Sequence, residues 1–233
     1  MPVGIEIRGS AGNILIDHRY FNLVLRQKVA SVTAADSPRP GSKITLTYTG
    51  SFPLIAWQSA EEIMMQGFSR SGDTWTFVMR CRGGAGTAYT LFVFGEPSND
   101  PDIYGHEGLE VRNPVTKKRI FHSGAKPAVV VEQRGILGVP TTRTDIALTP
   151  GRQYATAMLS PAVQSAPAPA SPGPPFPPPF YIRTFFAGCR GYAGGVSYAG
   201  WMGGQSGPYP GTTAFTGYTQ GGSAFLVLDV TNF

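Results

Sequence analysis

Residues 108–124 read GLEVRNPVTKKRIFHSG, and residues 4–18 read GIEIRGSAGNILIDH. Laid side by side without a gap, Gly4–Arg8 matches Gly108–Arg112 residue type for residue type, Ile16 falls on Ile120 and His18 on His122. Successive side chains of a strand point to opposite faces. Ile5 and Ile7, or Leu109 and Val111, therefore share one face, with the Glu and Arg on the other. Each copy reads as a short strand, a polar turn and a second short strand.

Working outward, both halves lay out in the same order. Phe21–Thr33 (FNLVLRQKVASVT) alternates and is rich in β-branched residues, which favours strand over helix. Lys126–Gln133 (KPAVVVEQ) is its counterpart. Lys43–Thr49 (KITLTYT) is answered by Thr144–Thr149 (TDIALT), and Pro53–Ser59 (PLIAWQS) by Arg152–Ser160 (RQYATAMLS). Glu61–Phe68 (EEIMMQGF) reads either as one helical turn or as an edge strand. Gly72–Gly84 and Thr87–Gly95 form the clearest hairpin signal, across the Gly-rich turn Gly83–Gly86. Phe180–Gly191 (FYIRTFFAGCRG) parallels Trp75–Gly83 (WTFVMRCRG), so that Cys81-Arg82-Gly83 would coincide with Cys189-Arg190-Gly191. Ala224–Val230 (AFLVLDV) stands where Thr90–Gly95 stood.

A repeat of roughly a hundred residues is too long for a solenoid and lies in the usual domain range. The expectation is an all-β chain of two tandem β-sandwich-like domains from an internal duplication. They would span residues 1–101 and 102–233, with the boundary in the turn-rich EPSNDPD of Glu96–Asp102. The second copy carries two insertions. Residues 161–179 are dense in proline, which favours polyproline II and cannot donate to a sheet ladder, so the run is expected outside both sheets. Residues 192–221 are rich in Gly, Tyr and Trp and read as a long loop, the usual place for recognition on a rigid scaffold.

Composition agrees with this class. Charged residues make up 14% of the 233, while Gly (30) and Pro (21) are abundant; the chain is too apolar for disorder and too turn-rich for a helical fold. No apolar run approaches the ~20 residues of a membrane helix, and the N-terminal MPVGIEIRGSAG lacks a basic stretch followed by an apolar core, so neither membrane insertion nor export is expected. Net charge is +5, but the compact basic run is only Lys117-Lys118-Arg119, in a turn and remote in sequence from the aromatics. A nucleic-acid surface needs a broad basic stripe with stackable rings, so the run reads as a solvated turn. From Tyr154 onward the charged groups are Arg183, Arg190 and Asp229 alone, and a surface so poor in charge implies partner contacts.

Chemistry-bearing motifs are sparse. Cys81 and Cys189 cannot make a zinc site and read as buried thiols; a disulfide would require the two strand ends to meet. His18 and His122, matched by the repeat, read as structural rather than as metal ligands. Ser123-Gly124-Ala125-Lys126 is an S-x-x-K without its companion motifs, and no nucleophile elbow, H-E-x-x-H or phosphate loop is present. Glu61, Glu62 and Asp73 are the carboxylates that a glycosidase pair could use, although spacing cannot show one. No enzyme, cofactor or metal is expected. For residues 192–221 three readings are open: a glycan-facing loop, an arm that wraps a neighbouring subunit, or a cover for the sheet. The contact residues would be Tyr192, Tyr198, Trp201, Tyr209, Phe215 and Tyr218.

The repeat unit resembles small β-rich virion proteins of the tail tip and baseplate region of long-tailed bacteriophages. In those, a G-L-x-V-x-N segment and a turn precede a strand ending in F-D-S. Here the second half supplies Gly108, Leu109, Val111 and Asn113, then Ile120, Phe121 and Ser123. His122 stands in place of the Asp, and the first half keeps Asp17. The resemblance covers about thirty residues and implies a non-enzymatic component of the virion tail, assembled in the host cytoplasm. Its partners would be copies of itself in a symmetric ring and other tail proteins. A carbohydrate-binding receptor protein that reads a host-surface glycan is the alternative.

Overall fold

The computed structural model describes residues 6–8, 14–17, 22–36, 40–51, 53–100, 107–169, 180–209, 218–220 and 222–233. The expected boundary at residues 101/102, together with His18, His106, Phe215 and prolines 172–179, lies outside the described residues.

Among the described residues every regular element is a strand. The first half contributes β1 (Glu6–Arg8), β2 (Ile14–Asp17), β3 (Val24–Val32), β4 (Ala34–Ala35), β5 (Ser42–Thr49), β6 (Leu54–Ser59), β7 (Ile63–Ser71), β8 (Thr74–Cys81) and β9 (Ala88–Gly95). The second contributes β10 (Glu110–Arg112), β11 (Arg119–His122), β12 (Val129–Ile136), β13 (Thr144–Ala147), β14 (Tyr154–Ser160), β15 (Val163–Pro169), β16 (Phe180–Tyr192), β17 (Gly195–Tyr209), β18 (Tyr218–Gln220) and β19 (Ser223–Asp229). Strand β5 shows the sequence logic at its plainest. Ser42, Ile44, Leu46 and Tyr48 are buried while Thr45, Thr47 and Thr49 face water, the period-two pattern of a half-buried strand.

Six strands run in a ring: β3-β9-β6 from the first half, then β14-β19-β12 from the second, all antiparallel neighbours. The ring closes where the lead into β12 meets the start of β3. There Leu25 N–H donates to Lys126 O and Ala128 N–H to Leu23 O, each at 2.8 Å, around the antiparallel bridge Val24–Pro127. The inward positions form one apolar cluster drawn from both halves, with Ala56, Phe92 and Phe94 against Ala155, Ala157 and Leu228. Outside the ring lie two wings, β5-β8-β7 and β13-β17-β16. A second cluster lies between ring and wings, where Ile55, Trp57, Val93, Phe225 and Val227 meet Ile44, Leu46, Phe77, Met79, Cys189 and Val196.

The two trios of ring strands share a detail that composition does not demand. In β3 the ladder to β9 slips between Leu25 and Gln27, and in β12 the ladder to β19 slips between Val130 and Glu132. Leu25 faces Phe94, which faces Leu54; Val130 faces Leu228, which faces Ala155. The bulge thus falls at the same rung in both. Moreover, the contacts that join the trios, Val24–Pro127 and Trp57–Thr156, each set a segment antiparallel to its own counterpart. This is the geometry of an approximate twofold axis.

The structure corrects four sequence expectations. First, β1–β2 pairs Glu6 with Asp17, whereas β10–β11 pairs Glu110 with His122. The second turn is one residue longer, so the counterpart of His122 is Asp17 rather than His18. Second, the CRG triplets do not coincide. Cys81 ends β8, while Cys189-Arg190-Gly191 lies inside β16; by sheet order and hairpin tip, β16–β17 corresponds to β7–β8. Third, part of the proline-rich insertion enters the sheet. Residues 163–169 form β15, paired with β16 throughout and with β18 over Val163–Ser165. Ala187 N–H donates to Ala162 O, and the unbroken register then directs Gln164, Ala166 and Ala168 toward β16. Pro167 and Pro169 fall at the alternate positions, where the missing N–H would have pointed away, and pairing with β18 stops before the first of them. Fourth, residues 195–209 of the Gly/aromatic insertion are strand, not loop.

Candidate functional site

The hairpin β16–β17 explains its own composition. Its rings lie across glycines of the same ladder. A Cβ on Gly188 would stand 2.7 Å from the Trp201 ring, and one on Gly203 would stand 1.8 Å from Phe186. Phe186 and Trp201 face each other across the strands, centroids 6.0 Å apart and edge to face. Gly203 is the extra residue where the ladder slips between Thr184 and Phe185. Gly200 admits the 139–140 backbone, since a Cβ there would stand 2.2 Å from Pro140 O. Glycine here makes room for aromatic faces and for a crossing loop.

The result is a cleft of about 370 Å³ between that crossing loop and the hairpin. Val139, Pro140, Phe185, Trp201 and Met202 form its walls, and Thr141 and Gln164 are the polar groups beside them. Concave, mostly apolar walls with a few polar groups are what a small-ligand site requires. Of the four expected contact residues whose side chains are described, Tyr192, Tyr198, Trp201 and Tyr209, only Trp201 lines it. Tyr192 is half-buried near the hairpin tip under the Arg190 guanidinium, 5.1 Å from its ring centroid. Tyr198 packs on Phe225 at 6.3 Å. Tyr209 is exposed at the end of β17, Tyr218 lies in β18, and Phe215 is outside the described residues. Phe185, Met202, Gln164 and residues 139–141 had no motif to mark them, because a bulge and a crossing loop bring them together.

A second cluster joins the halves electrostatically. Glu62, immediately before β7, is fully buried. Arg143 Nε lies 2.6 Å from its Oε1 and Nη2 donates to Oε2 at 2.9 Å, while Arg82 Nη1 donates to Oε2 at 3.2 Å. Ser197 Oγ donates to Oε1 at 3.0 Å, and Arg190 Nε stands 3.8 Å away. Arg143 also holds Glu61 at 2.6 Å. Burial by itself pushes the Glu62 carboxyl up; the Arg143 hydrogen bond and charge, the backbone and Ser197 outweigh it and hold the group below the usual carboxylate range. Such a carboxylate stays ionised and is a poor proton donor. Asp73, the third carboxylate considered above, pairs with Arg70 at 3.2 Å on an exposed hairpin tip. Asp73 thus stands apart from Glu61 and Glu62, which share the Arg143 guanidinium.

The remaining sequence candidates are structural. Arg119 of the basic run is buried: Nη1 donates to Ser98 O at 2.6 Å and Nη2 to Glu110 Oε2 at 2.9 Å, which pins the linker to the hairpin β10–β11. His122 is buried and its Nδ1 accepts from Gly124 N–H at 3.0 Å. Cys81 and Cys189 are buried free thiols, paired with Ile63 from opposite sides. Two strand spacings, roughly 10 Å, separate them, beyond the reach of a disulfide. No group of three or more metal-ligating side chains occurs among the described residues. Comparison with protein-family models, curated proteins and solved structures returns no match.

Proposed function

We propose that the chain is a non-enzymatic structural component of a bacteriophage tail, at the distal tail or baseplate, that assembles with copies of itself and with other tail proteins. The observation that carries this reading is the G-[IL]-E-[IV]-R hairpin. It occurs twice, as β1–β2 and β10–β11, each a separate two-stranded sheet that precedes a bulged ring strand. The all-β scaffold supports the reading, as do the ionised, arginine-held Glu62 and the apolar groups left at the surface. Locating the chain in purified particles by mass spectrometry and antibody labelling tests it. Detection at the distal tail is the expected result, and absence from particles would sink the reading.

The Trp201 cleft favours a second reading, a carbohydrate-binding protein that recognises a host-surface glycan. A glycan array with wild type and Trp201→Ala separates the two. Sugar binding that disappears in the variant would favour the receptor reading.

A further inference from the structure

The ring closes by one bridge, Val24–Pro127, and beyond it the two closing strands part. Among the described residues, β12 then pairs with β19 alone and β3 with β9 alone. Each presents an outer edge of N–H and C=O groups with no ladder partner there. The two edges are related by the approximate twofold axis, yet they are dressed differently. β3 carries Arg26 and Lys28, cations of the kind that discourage edge-to-edge pairing. β12 carries three valines in succession, Val129 (49% exposed), Val130 (51%) and Val131 (49%), and Leu137 just past its end is 97% exposed. Single apolar residues on a surface need no explanation, but four such residues within 129–137, along an open strand edge, do.

The order of residues along this edge names its occupant. Residues 129–137 read VVVEQRGIL, which is complementary to itself when reversed about Gln133. Set antiparallel to a second β12 with the two Gln133 residues opposite, Glu132 of each copy faces Arg134 of the other. The valines of each copy then run alongside Gly135, Ile136 and Leu137 of the other. Within one chain Glu132 and Arg134 already pair at 2.7 Å, so the contact makes a square of four alternating charges. Sliding one strand by two residues is the least shift that keeps the faces aligned. It would set Glu132 against Glu132 or Arg134 against Arg134, and like charges directly opposite are destabilising. Both the apolar residues and the charges therefore select one partner and one register.

We propose that β12 docks on β12 of a second copy, antiparallel about Gln133, joining the two chains in one continuous sheet. The contact uses the same patch on both copies and closes at two. Main-chain hydrogen bonds supply affinity, and the Glu132–Arg134 pairs fix the register. The proposal rests on the self-assembly part of the reading above and names its contact.

The test is sedimentation velocity on the full chain with two charge reversals at partly exposed positions, Glu132→Arg and Arg134→Glu. Wild type is expected to dimerise with rising concentration. Each single variant sets like charges across the axis and should dimerise at least tenfold more weakly. Mixed in equal amounts, the two variants regain opposite charges at both cross-strand pairs and should dimerise about as well as wild type. A chain carrying both reversals should do the same by itself. Amide exchange along β12 should slow as wild type is concentrated, while exchange along β3 stays unchanged. A wild type that stays monomeric at every concentration, a dimer indifferent to both reversals, or reversals that weaken it without complementing would each overturn the proposal. Slowing along β3 together with β12 would pair unlike edges and overturn it too. Absence of the chain from particles, with complementation intact, would overturn the tail reading alone.

Discussion

At the scale of the residue, Glu62 and Gly188 carry the most. Glu62 is a buried anion facing Arg82, Arg143 and Arg190. Removing one partner of a buried pair leaves uncompensated charge, so Glu62→Gln is expected to lower stability by about 3–5 kcal/mol in urea unfolding at neutral pH. Because its folded pKa is lowered, the group contributes stability above the ordinary carboxylate range and loses it as pH falls through the folded value. Wild type should therefore lose more of its urea midpoint on acidification than Glu62→Gln does; equal losses would contradict the assignment. Gly188 is the opposite case, a residue whose role is to be absent. Gly188→Ala drives a methyl into the Trp201 ring and toward Ile63 O at 2.9 Å. A cost of about 1–3 kcal/mol is expected from overpacking, with a shift in Trp201 fluorescence, and an unchanged midpoint would mean the ring does not lie where it is described.

At the scale of the element, strand order was legible and function of position was not. Alternation marks β5, which buries one face, whereas β6, β9 and β14 read as strands from short apolar runs because the ring interior and the wings bury both their faces. The ambiguous EEIMMQGF became β7, since Met64 and Ile63 are buried against neighbours that no local pattern reveals. The start of the 161–179 insertion joins the sheet because an antiparallel strand offers every second position without an inward N–H, and Pro167 and Pro169 fall there. That distinction makes a prediction. Ala168→Pro removes a donor aimed at β16 and should cost about 1–3 kcal/mol, the price of an unmade buried hydrogen bond, while Pro167→Ala should change the urea midpoint little. Equal effects would show that β15 has the other register. The Trp201 cleft was half legible: composition pointed to the hairpin, but Gln164 and residues 139–141 arrive from elsewhere in the chain.

At the scale of the molecule, the halves share what separate domains would each own. The ring interior takes Phe92 and Phe94 from one half and Ala155, Ala157 and Leu228 from the other. Trp57 Nε1 donates to Cys189 O across them at 2.7 Å, and the Glu62 cluster does the same with charge. Phe94→Ala is therefore expected to cost about 3–5 kcal/mol and to lower a single transition that both halves follow. Separate transitions for residues 1–101 and 102–233, or a fragment 1–101 that folds alone, would show the sharing to be superficial.

The two cysteines give that question a native readout. Burial pushes Cys81 up and Cys189 to about 12, so both remain protonated at neutral pH and unreactive toward alkylating reagents while the fold is closed. Each half thus holds one silent chemical clock. Alkylation followed over time by peptide mass mapping would report the opening of the β8 end and of β16 independently. Marks that accumulate in step would describe a body that breathes as one piece, and marks that diverge would name the half that lets go first.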